Sequence, residues 1–329
     1  MLPHKHTKEG VLNEKLALKK LLTYMKSVYK IPQKIKGLSD ERKRKPIPLF
    51  NIVMPVLIFL MLQYESFHTI FSAPESMEKR PKNCIRGKIP KVDAVRDLLS
   101  RIDPKEIEEI HAQTIDVLKR NRVFREGTIG GYVAAGIDGV ELFSSTKKSC
   151  PNCLSRKKHT GETEYFYRSV VCMIIGKSPH VILGQEMLKP RDLSGFEMEG
   201  CPYKLRVVRY HEQWEENGKE TERFMWLVTT LEAADYRVLW EMMHRRWDIE
   251  ENGFHQLKTY YHAKHCYCRD AVETIFNLIS IGFNVRELYL YRRSRNFAGS
   301  GISRKSINRI FCDELLTEKV KQILCEKGG

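Results

Sequence analysis

Apolar residues in the first 125 positions recur at intervals of three and four, the spacing that places them on one face of an α-helix. The pattern predicts three helical regions, at residues 11–30, 49–62 and 91–122, the last interrupted near Asp103-Pro104. The second region is about 14 residues long and contains a proline, so it is too short and too interrupted to cross a membrane. We expect it to be a core helix, and we expect residues 1–129 to form an all-helical domain.

From residue 130 the apolar period changes to the alternating or continuous runs that are typical of strands. The pattern predicts five strands, at residues 130–139, 164–176, 180–188, 203–214 and 223–231. Asn217-Gly218 lies between the last two and is a strong hairpin signal. Two more helices follow, at residues 236–261 and 271–291. This order predicts an α/β domain over residues 130–329, with a residual β-rich segment at 195–231.

The helix predicted over residues 236–261 contains the stretch HRRWDIEENGFHQLK, from His244 to Lys258. By helical spacing, Arg246 and Glu250 fall on the apolar stripe of this helix. A buried carboxylate is costly unless it is paired or binds a metal. Two interpretations are open at this point: a salt bridge between Arg246 and Glu250, and a metal-binding glutamate flanked by Arg246 and Lys258 as cations that grip phosphate.

The charge of the chain indicates a polyanionic partner. Lys and Arg number 56 against 41 Asp and Glu, a formal net charge of +15. Residues 1–50 alone hold thirteen basic and four acidic residues, so +9 of that charge lies there. Such a concentration favours nucleic acid. A polar connector in this region either follows DNA phosphates or forms a solvated loop; its basic residues are Arg42, Lys43, Arg44 and Lys45.

Nine cysteines in a chain that opens without a secretion signal indicate thiols or metal ligands in a reducing compartment. Cys150 and Cys153 have the C-x-x-C spacing of zinc ligands, and His265 and Cys268 follow the glutamate helix. These four residues are a candidate structural Zn²⁺ site, and the alternative is ordinary thiols near a DNA-binding surface. We expect a cytoplasmic, nucleoid-associated protein with no membrane segment.

Three blocks of the sequence together resemble insertion-sequence DNA transposases of the DDE class, in the branch named for a Tyr-Arg-Glu-Lys signature. They are GIDGVELFSSTKKSCPNCLSRK at residues 136–157, MWLVTTL at 225–231, and RRWDIEENGFHQLK ending at Lys258. The resemblance implies an RNase H-like core, double-stranded DNA at terminal inverted repeats as the partner, and a homodimer on that DNA. It also implies two Mg²⁺ or Mn²⁺ ions, held by carboxylates, which activate water and then a DNA 3′ hydroxyl.

By this resemblance Asp138 and Glu250 are catalytic carboxylates that bind the metal, and Arg246 and Lys258 are the cations that contact DNA phosphate. The spacing from Glu250 to Lys258 is one residue longer than in the signature. Gly253 lies in this longer segment, where it costs a helix about 1 kcal/mol relative to alanine. We therefore predict a kink or π-bulge there, which would return Lys258 to the active face.

Two departures from the family pattern affect the predicted activity. Met243 stands where the signature has its tyrosine. The family also carries a strand that ends in a second catalytic aspartate before the β-rich segment, and no apolar strand ending in Asp lies there in this chain. We infer an internal deletion and an incomplete core. Because two carboxylates bind two metals poorly, we expect DNA cleavage to be absent or very weak.

The deletion leaves two interpretations of the function: a degenerate transposase, and a catalytically inactive DNA-binding derivative that competes for element ends. Five acidic residues could replace the missing aspartate, although each is more simply a surface charge: Glu186, Asp192, Glu197, Glu199 and Asp235. The missing strand would pair beside the strand that carries Asp138. Either another strand takes its place or that edge of the sheet stays open.

Overall fold

The described part of the chain combines helices with two antiparallel sheets, which agrees with the predicted α/β class. The computed structural model describes residues 16–42, 47–71, 79–85, 89–125, 128–147, 149, 152–176, 179–188, 206–229, 231–292 and 302–324. No helix within these ranges is both long and apolar enough to cross a membrane.

Helices make up the regular structure before residue 121. They are α1 Ala17–Tyr29, α2 Ile31–Lys36, α3 Phe50–Met61, α4 Phe67–Phe71, α5 Lys79–Cys84, α6 Val92–Ser100 and α7 Pro104–Arg120. The three predicted helical regions are confirmed, although residues 11–15 lie outside the described ranges. The predicted interruption is also confirmed, because Asp103 caps α7 by accepting a hydrogen bond from the backbone N–H of Lys105 at 3.0 Å.

Helix α3 is the core helix that its sequence predicts. Its residues from Ile52 to Met61 are buried, including Pro55 within the helix. It packs against a later helix, α10 Val272–Arg292, at a glycine: a Cβ added to Gly282 would stand 3.2 Å from the Cα of Met61. The absence of a side chain at Gly282 is therefore what lets the two helix backbones approach so closely.

Four strands form the main sheet: β1 Ala135–Ser145, β2 Leu154–Lys157, β3 Thr163–Ile174 and β4 Ile182–Leu188. Strand β3 is central, with β1 along one side and β4 and β2 along the other. The predictions of β3 and β4 are confirmed, and β2 was not predicted. The predicted end of β1 at Gly139 is wrong, because the strand continues through Leu142 and Phe143, whose side chains are buried.

Strand β1 has one edge that pairs with no other strand in the part of the chain described. One face of β1 is covered, since Gly136, Val140 and Leu142 are buried. On the opposite face Ile137 is 71% exposed. Of the two outcomes predicted for the position beside β1, the described residues have the open edge.

Strands β5 Arg206–Glu216 and β6 Lys219–Thr229 form a separate two-stranded sheet, which we call the ribbon. Asn217 and Gly218 make the turn with φ values of 52° and 74°, the positive values of a two-residue hairpin loop. The hairpin prediction is confirmed. One face of the ribbon packs through Tyr210 on Leu239 of the following helix.

After the ribbon, all the regular structure in the described residues is helical. The segments are α8 Tyr236–His244, a 3₁₀ turn Arg245–Trp247, a π-helix Ile249–Phe254, α9 His255–Thr259, a 3₁₀ turn Arg269–Ala271, then α10, α11 Arg304–Thr317 and α12 Val320–Leu324. Helix α10 confirms the prediction at 271–291, whereas α11 and α12 were not predicted. Glu314 of α11 accepts hydrogen bonds from the backbone N–H groups of Ala17 and Leu18, at 3.0 and 2.6 Å, so α11 caps the first helix.

One core of buried side chains runs through both halves of the chain. It includes Leu18 and Leu22 of α1 together with Phe311 and Leu315 of α11. The predicted division at residues 129 and 130 stays a prediction, as does the RNase H-like assignment of the second half.

Candidate active site

The predicted distortion at Gly253 is present as the π-helix Ile249–Phe254, which confirms the prediction of a kink or π-bulge. A Cβ added to Gly253 would lie 2.5 Å from the Sδ atom of Met173 in β3, so glycine is what allows the helix to sit this close to the sheet. A π-turn takes up roughly one more residue than an α-turn. The separation of eight positions between Glu250 and Lys258 therefore corresponds to about two turns, which directs both side chains toward the same side of the helix.

The π-helix packs on β1 beside both candidate catalytic carboxylates. The Cβ and Cδ1 atoms of Ile249 lie 3.5 and 3.6 Å from where a Cβ of Gly136 would stand. Gly136 and Asp138 are two residues apart in a strand and so project from the same face. Because Ile249 precedes Glu250, this contact brings the segments that carry Asp138 and Glu250 together.

A second contact holds the π-helix to the end of β3. The Oδ2 atom of Asp248 accepts a hydrogen bond from the backbone N–H of Gly176 at 2.8 Å. The other oxygen, Oδ1, lies 4.0 Å from the Nη1 atom of Arg245. Asp248 is thus a positioning residue, which joins the turn after β3 to the helix that carries Glu250.

Asp138 lies within β1, opposite Val171 of β3, and not at a strand end as predicted. Its Oδ1 atom accepts a hydrogen bond from the backbone N–H of Gly139 at 2.6 Å. In an antiparallel pair, alternate residues direct their backbone groups to opposite edges. The carbonyl of Ala134 bonds to β3, through the N–H of Ile175, so the N–H of Gly139 belongs to the open edge. The carboxylate of Asp138 therefore satisfies an amide that no described strand pairs.

The predicted inward direction of Arg246 and Glu250 is wrong, because both residues are exposed. The 3₁₀ turn and the π-helix break the 3.6-residue period on which the prediction rested. The structure shows no ion pair between Arg246 and Glu250, both of which lie in the described ranges. The guanidinium of Arg246 instead lies 4.7 Å from the ring centroid of Trp247.

Lys258 is half-buried, with its Nζ atom 5.6 Å from the ring centroid of Phe254, one turn earlier. The neighbouring Gln256 is held by Arg304, whose Nη1 atom donates to Gln256 Oε1 at 2.8 Å and to Glu287 Oε1 at 2.6 Å. Met243, at the position of the signature tyrosine, is half-buried and packs against the hydrophobic side of the ribbon.

The described residues include no group of three or more His, Cys, Asp or Glu that could hold a metal ion. Glu186 lies on β4, on the far side of β3 from Asp138. Asp235 caps α8 by accepting a hydrogen bond from the N–H of Arg237 at 2.8 Å. Three of the acidic candidates lie outside the described ranges: Asp192, Glu197 and Glu199. Two carboxylates suit Mg²⁺ or Mn²⁺ chemically, but alone they do not fit the two-ion site that the family resemblance implies.

The candidate zinc residues are only partly described, since Cys150 lies outside the described ranges. Asn152 and Arg269 line one cavity of about 350 Å³, so the segments of Cys153 and Cys268 do meet. Burial raises the pKa of the Cys268 thiol, which disfavours the thiolate that binds zinc. His265 is exposed, and within the described residues it forms no metal-binding group with the two cysteines. The described members do not fit a zinc site.

The proposed DNA-contacting residues of the N-terminal connector are described only at Arg42. Its Nε and Nη2 atoms both donate to the carboxylate of Asp40 at 2.8 Å, and Nη2 also donates to the carbonyl of Ile47 at 2.8 Å. This guanidinium is therefore bound to the protein itself. The other three predicted cations, Lys43, Arg44 and Lys45, lie outside the described ranges.

No protein-family model, curated protein or solved structure matches this chain. The interpretation of the site therefore rests on its own residues.

Glu212 of the ribbon is a structural residue that sequence reasoning missed. Its Oε1 atom accepts a hydrogen bond from Trp240 Nε1 at 2.7 Å and lies 2.8 Å from His244 Nε2, and its Oε2 atom accepts one from Arg223 Nη2 at 2.7 Å. This network joins the ribbon to α8, the helix that leads into the candidate site. The sequence signal is the spacing of Tyr210 and Glu212, which are two residues apart in β5 and therefore lie on the same face, the one that meets α8.

Proposed function

We propose that this chain is a degenerate DNA transposase that binds DNA and has little or no ability to cleave it. The observation that carries the proposal is the position of Asp138 and the hydrogen bond that its carboxylate accepts. Packing of Ile249 on Gly136 brings the segments of Asp138 and Glu250 together, as a DDE-type site requires. Asp138 nevertheless lies on an edge strand, and one of its oxygens is hydrogen-bonded to Gly139.

The chemistry of two-metal catalysis explains why DNA cleavage by this pair of carboxylates should be slow. Two-metal catalysis uses ions about 4 Å apart that stabilise both the attacking and the leaving oxygen of an in-line displacement. Mg²⁺ or Mn²⁺ would supply that charge, and each ion needs several hard oxygen ligands. Asp138 and Glu250 offer two carboxylates for this task. We therefore expect DNA binding to be retained more fully than cleavage.

The second candidate is a fully inactive derivative that competes for element ends. The hydrogen bond between Asp138 Oδ1 and the N–H of Gly139 favours it, because metal binding at that oxygen would compete with a backbone bond. The two candidates differ in one property, which is whether any metal-dependent cleavage remains.

The test is Mg²⁺- and Mn²⁺-dependent nicking of duplex DNA that carries the terminal inverted repeats of the element. We expect the wild-type protein to bind this DNA and to nick it little or no faster than Glu250→Ala. Slow nicking that depends on Glu250 would favour the degenerate transposase, and none would favour the fully inactive derivative. Glu251→Ala is the matched control, because Glu251 is the adjacent exposed acid of the same π-helix.

Rapid nicking that is lost in Glu250→Ala and kept in Glu251→Ala would indicate a complete active site and overturn the claim of weak or absent cleavage. A wild-type protein that binds no duplex DNA would overturn the proposed function as a whole.

A further inference from the structure

A basic groove lies between the junction of α1 with α2 and the last turns of α7. Its volume is about 840 Å³. Its polar lining is Lys30, Lys34, Gln113, Asp116, Lys119 and Arg120. Four cationic side chains against one carboxylate leave a formal charge of +3. The groove shares no residue with the candidate active site.

The fold brings these cations together from two directions. Lys30 joins α1 to α2 with φ 56° and ψ 28°, a left-handed conformation that non-glycine residues rarely adopt. Lys119 and Arg120 lie in the last turn of α7, where the helix dipole favours positive charge. The dipole accounts for these two residues on their own. Lys34 faces them from the last turn of α2, so the C-terminal ends of two helices bring their cations to the same groove.

The charges in the groove are poorly compensated. Asp116 is paired with Lys119 at 3.7 Å, and both side chains are more than 60% exposed, so this ion pair is weak. Lys30, Lys34 and Arg120 have no ion pair with any residue that the structure places. Burial lowers the pKa of Lys34, and the neighbouring guanidinium of Arg120 lowers it further. An anion in the groove would offset the desolvation of the Lys34 ammonium and its repulsion by Arg120.

The shape of the charged surface favours an extended polyanion over a single small anion. Lys19 is an exposed residue of α1, and Lys30 follows the last residue of that helix. At 1.5 Å per residue, Lys19 lies about 16 Å from Lys30, beyond the reach of a small anion bound in the groove. B-DNA presents about one phosphate charge per 1.7 Å of its axis, so one duplex is long enough to meet both the groove and Lys19.

We propose that the basic groove binds the phosphate backbone of duplex DNA without reading its sequence. This inference rests on the proposed function and deepens it, because it places a DNA contact on α2 and α7, away from the predicted Arg42–Lys45 connector. Contacts to phosphate position a protein on DNA and supply salt-dependent affinity. The groove would therefore hold DNA next to the element ends irrespective of their sequence.

The test measures the affinity of the full chain for a labelled duplex of scrambled sequence over a range of salt concentrations. The groove variant is Lys34→Gln with Arg120→Gln. The control variant is Lys105→Gln with Arg309→Gln, which removes one exposed lysine and one exposed arginine elsewhere. Lys30→Asn is a second groove variant, because asparagine tolerates the left-handed conformation at that position.

We expect the double groove variant to lose about tenfold or more in affinity at 0.1 M salt and to lower the slope of log K against log salt by about 1.8, for two lost phosphate contacts. The control should change affinity less than about twofold. Equal losses in the groove and control variants, with wild-type binding intact, would overturn the groove and leave the proposed function standing. If the groove substitutions weakened binding only to RNA or to acidic lipid vesicles, that result would also overturn the proposed contact of the groove with duplex DNA. Absence of any duplex binding by wild type would overturn both.

Discussion

The side-chain amide of Asn284 forms a hydrogen bond with each of the two backbone polar groups of Ile182, the first residue of β4. Its Oδ1 atom accepts from the Ile182 N–H at 2.9 Å, and its Nδ2 atom donates to the Ile182 carbonyl at 2.8 Å. The same Nδ2 lies 2.9 Å from Nε2 of the buried His111. One amide thus joins the sheet to α10 and α7 and satisfies polar groups in the buried core.

Replacing Asn284 with leucine should destabilise the fold strongly. Leucine has a similar volume but makes none of the three hydrogen bonds of the Asn284 amide, and each bond whose loss leaves a buried group unsatisfied costs about 1–3 kcal/mol. We expect the free energy of unfolding in urea to fall by about 3 kcal/mol or more. Asn121→Leu, at the exposed end of α7, is the control and should change it by less than about 0.5 kcal/mol. Equal effects would contradict the role of Asn284.

His111 should make the fold sensitive to acid. Burial lowers the pKa of His111 to about 4 in the fold, whereas an unfolded histidine has a pKa near 6.5. Between these values the unfolded state binds the proton and the folded state does not, so stability falls as the pH drops from about 6.5 to about 4. The full loss is on the order of 3 kcal/mol.

The measurement for His111 is urea unfolding at pH 7.5 and at pH 5, compared between wild type and His111→Gln. Glutamine can accept the hydrogen bond from Asn284 but does not titrate. The variant should lose less stability than wild type between the two pH values. If His111→Gln loses as much stability as wild type between pH 7.5 and pH 5, groups other than His111 cause the acid sensitivity.

The contact between Gly253 and Met173 should make the effects of substitutions at these two positions on stability non-additive. Gly253→Ala adds a Cβ that would overlap Met173 Sδ, at a cost of about 1–3 kcal/mol, which exceeds the gain of about 1 kcal/mol in helix propensity. Met173→Ala alone should cost about 2–5 kcal/mol by creating a cavity. In the double variant the added methyl group enters that cavity, so we expect a coupling energy of about 1 kcal/mol or more. Additive effects would argue against the close approach.

Glu212 should hold the ribbon to α8. Glu212→Ala removes the acceptor shared by Trp240, His244 and Arg223. A local opening free energy lower by about 1 kcal/mol would raise the open population of the ribbon roughly fivefold. Limited trypsin digestion should therefore cleave the ribbon faster in this variant.

Glu222→Ala is the matched control for the ribbon, because Glu222 is an exposed ribbon acid that pairs only across the hairpin, with His211 at 2.8 Å. It removes the same charge without touching α8. If both variants are cut at the wild-type rate, Glu212 does not fasten the ribbon.

Much of the fold could be predicted from local patterns in the sequence. The apolar run of α3, the cap at Asp103 and the Asn217-Gly218 turn each follow from residues that are close together in the chain. The π-helix was predictable for the same reason, since one inserted residue and a glycine define it. Helices α11 and α12 were missed, because their positions depend on packing against α1, which lies about 290 residues away in the sequence.

The candidate site was predicted less completely. Periodicity placed Glu250 on a buried stripe, but the 3₁₀ turn and π-helix rotated it to the surface. The hydrogen bond between Asp138 and Gly139 was unpredictable from sequence, since it depends on the absence of a strand beside β1. The ion pair of Arg42 with Asp40 occupies a guanidinium that a count of charges would leave available to a polyanion.

The open edge of β1 links two events thermodynamically. A strand that paired with this edge would need the N–H of Gly139 and would displace the carboxylate of Asp138 from it. The displaced oxygen would then be available as a ligand, so strand addition and cation binding at Asp138 would each raise the affinity for the other. Asp138 thus blocks one backbone donor of the open edge reversibly, and a cation bound to its carboxylate would free that donor for a pairing strand.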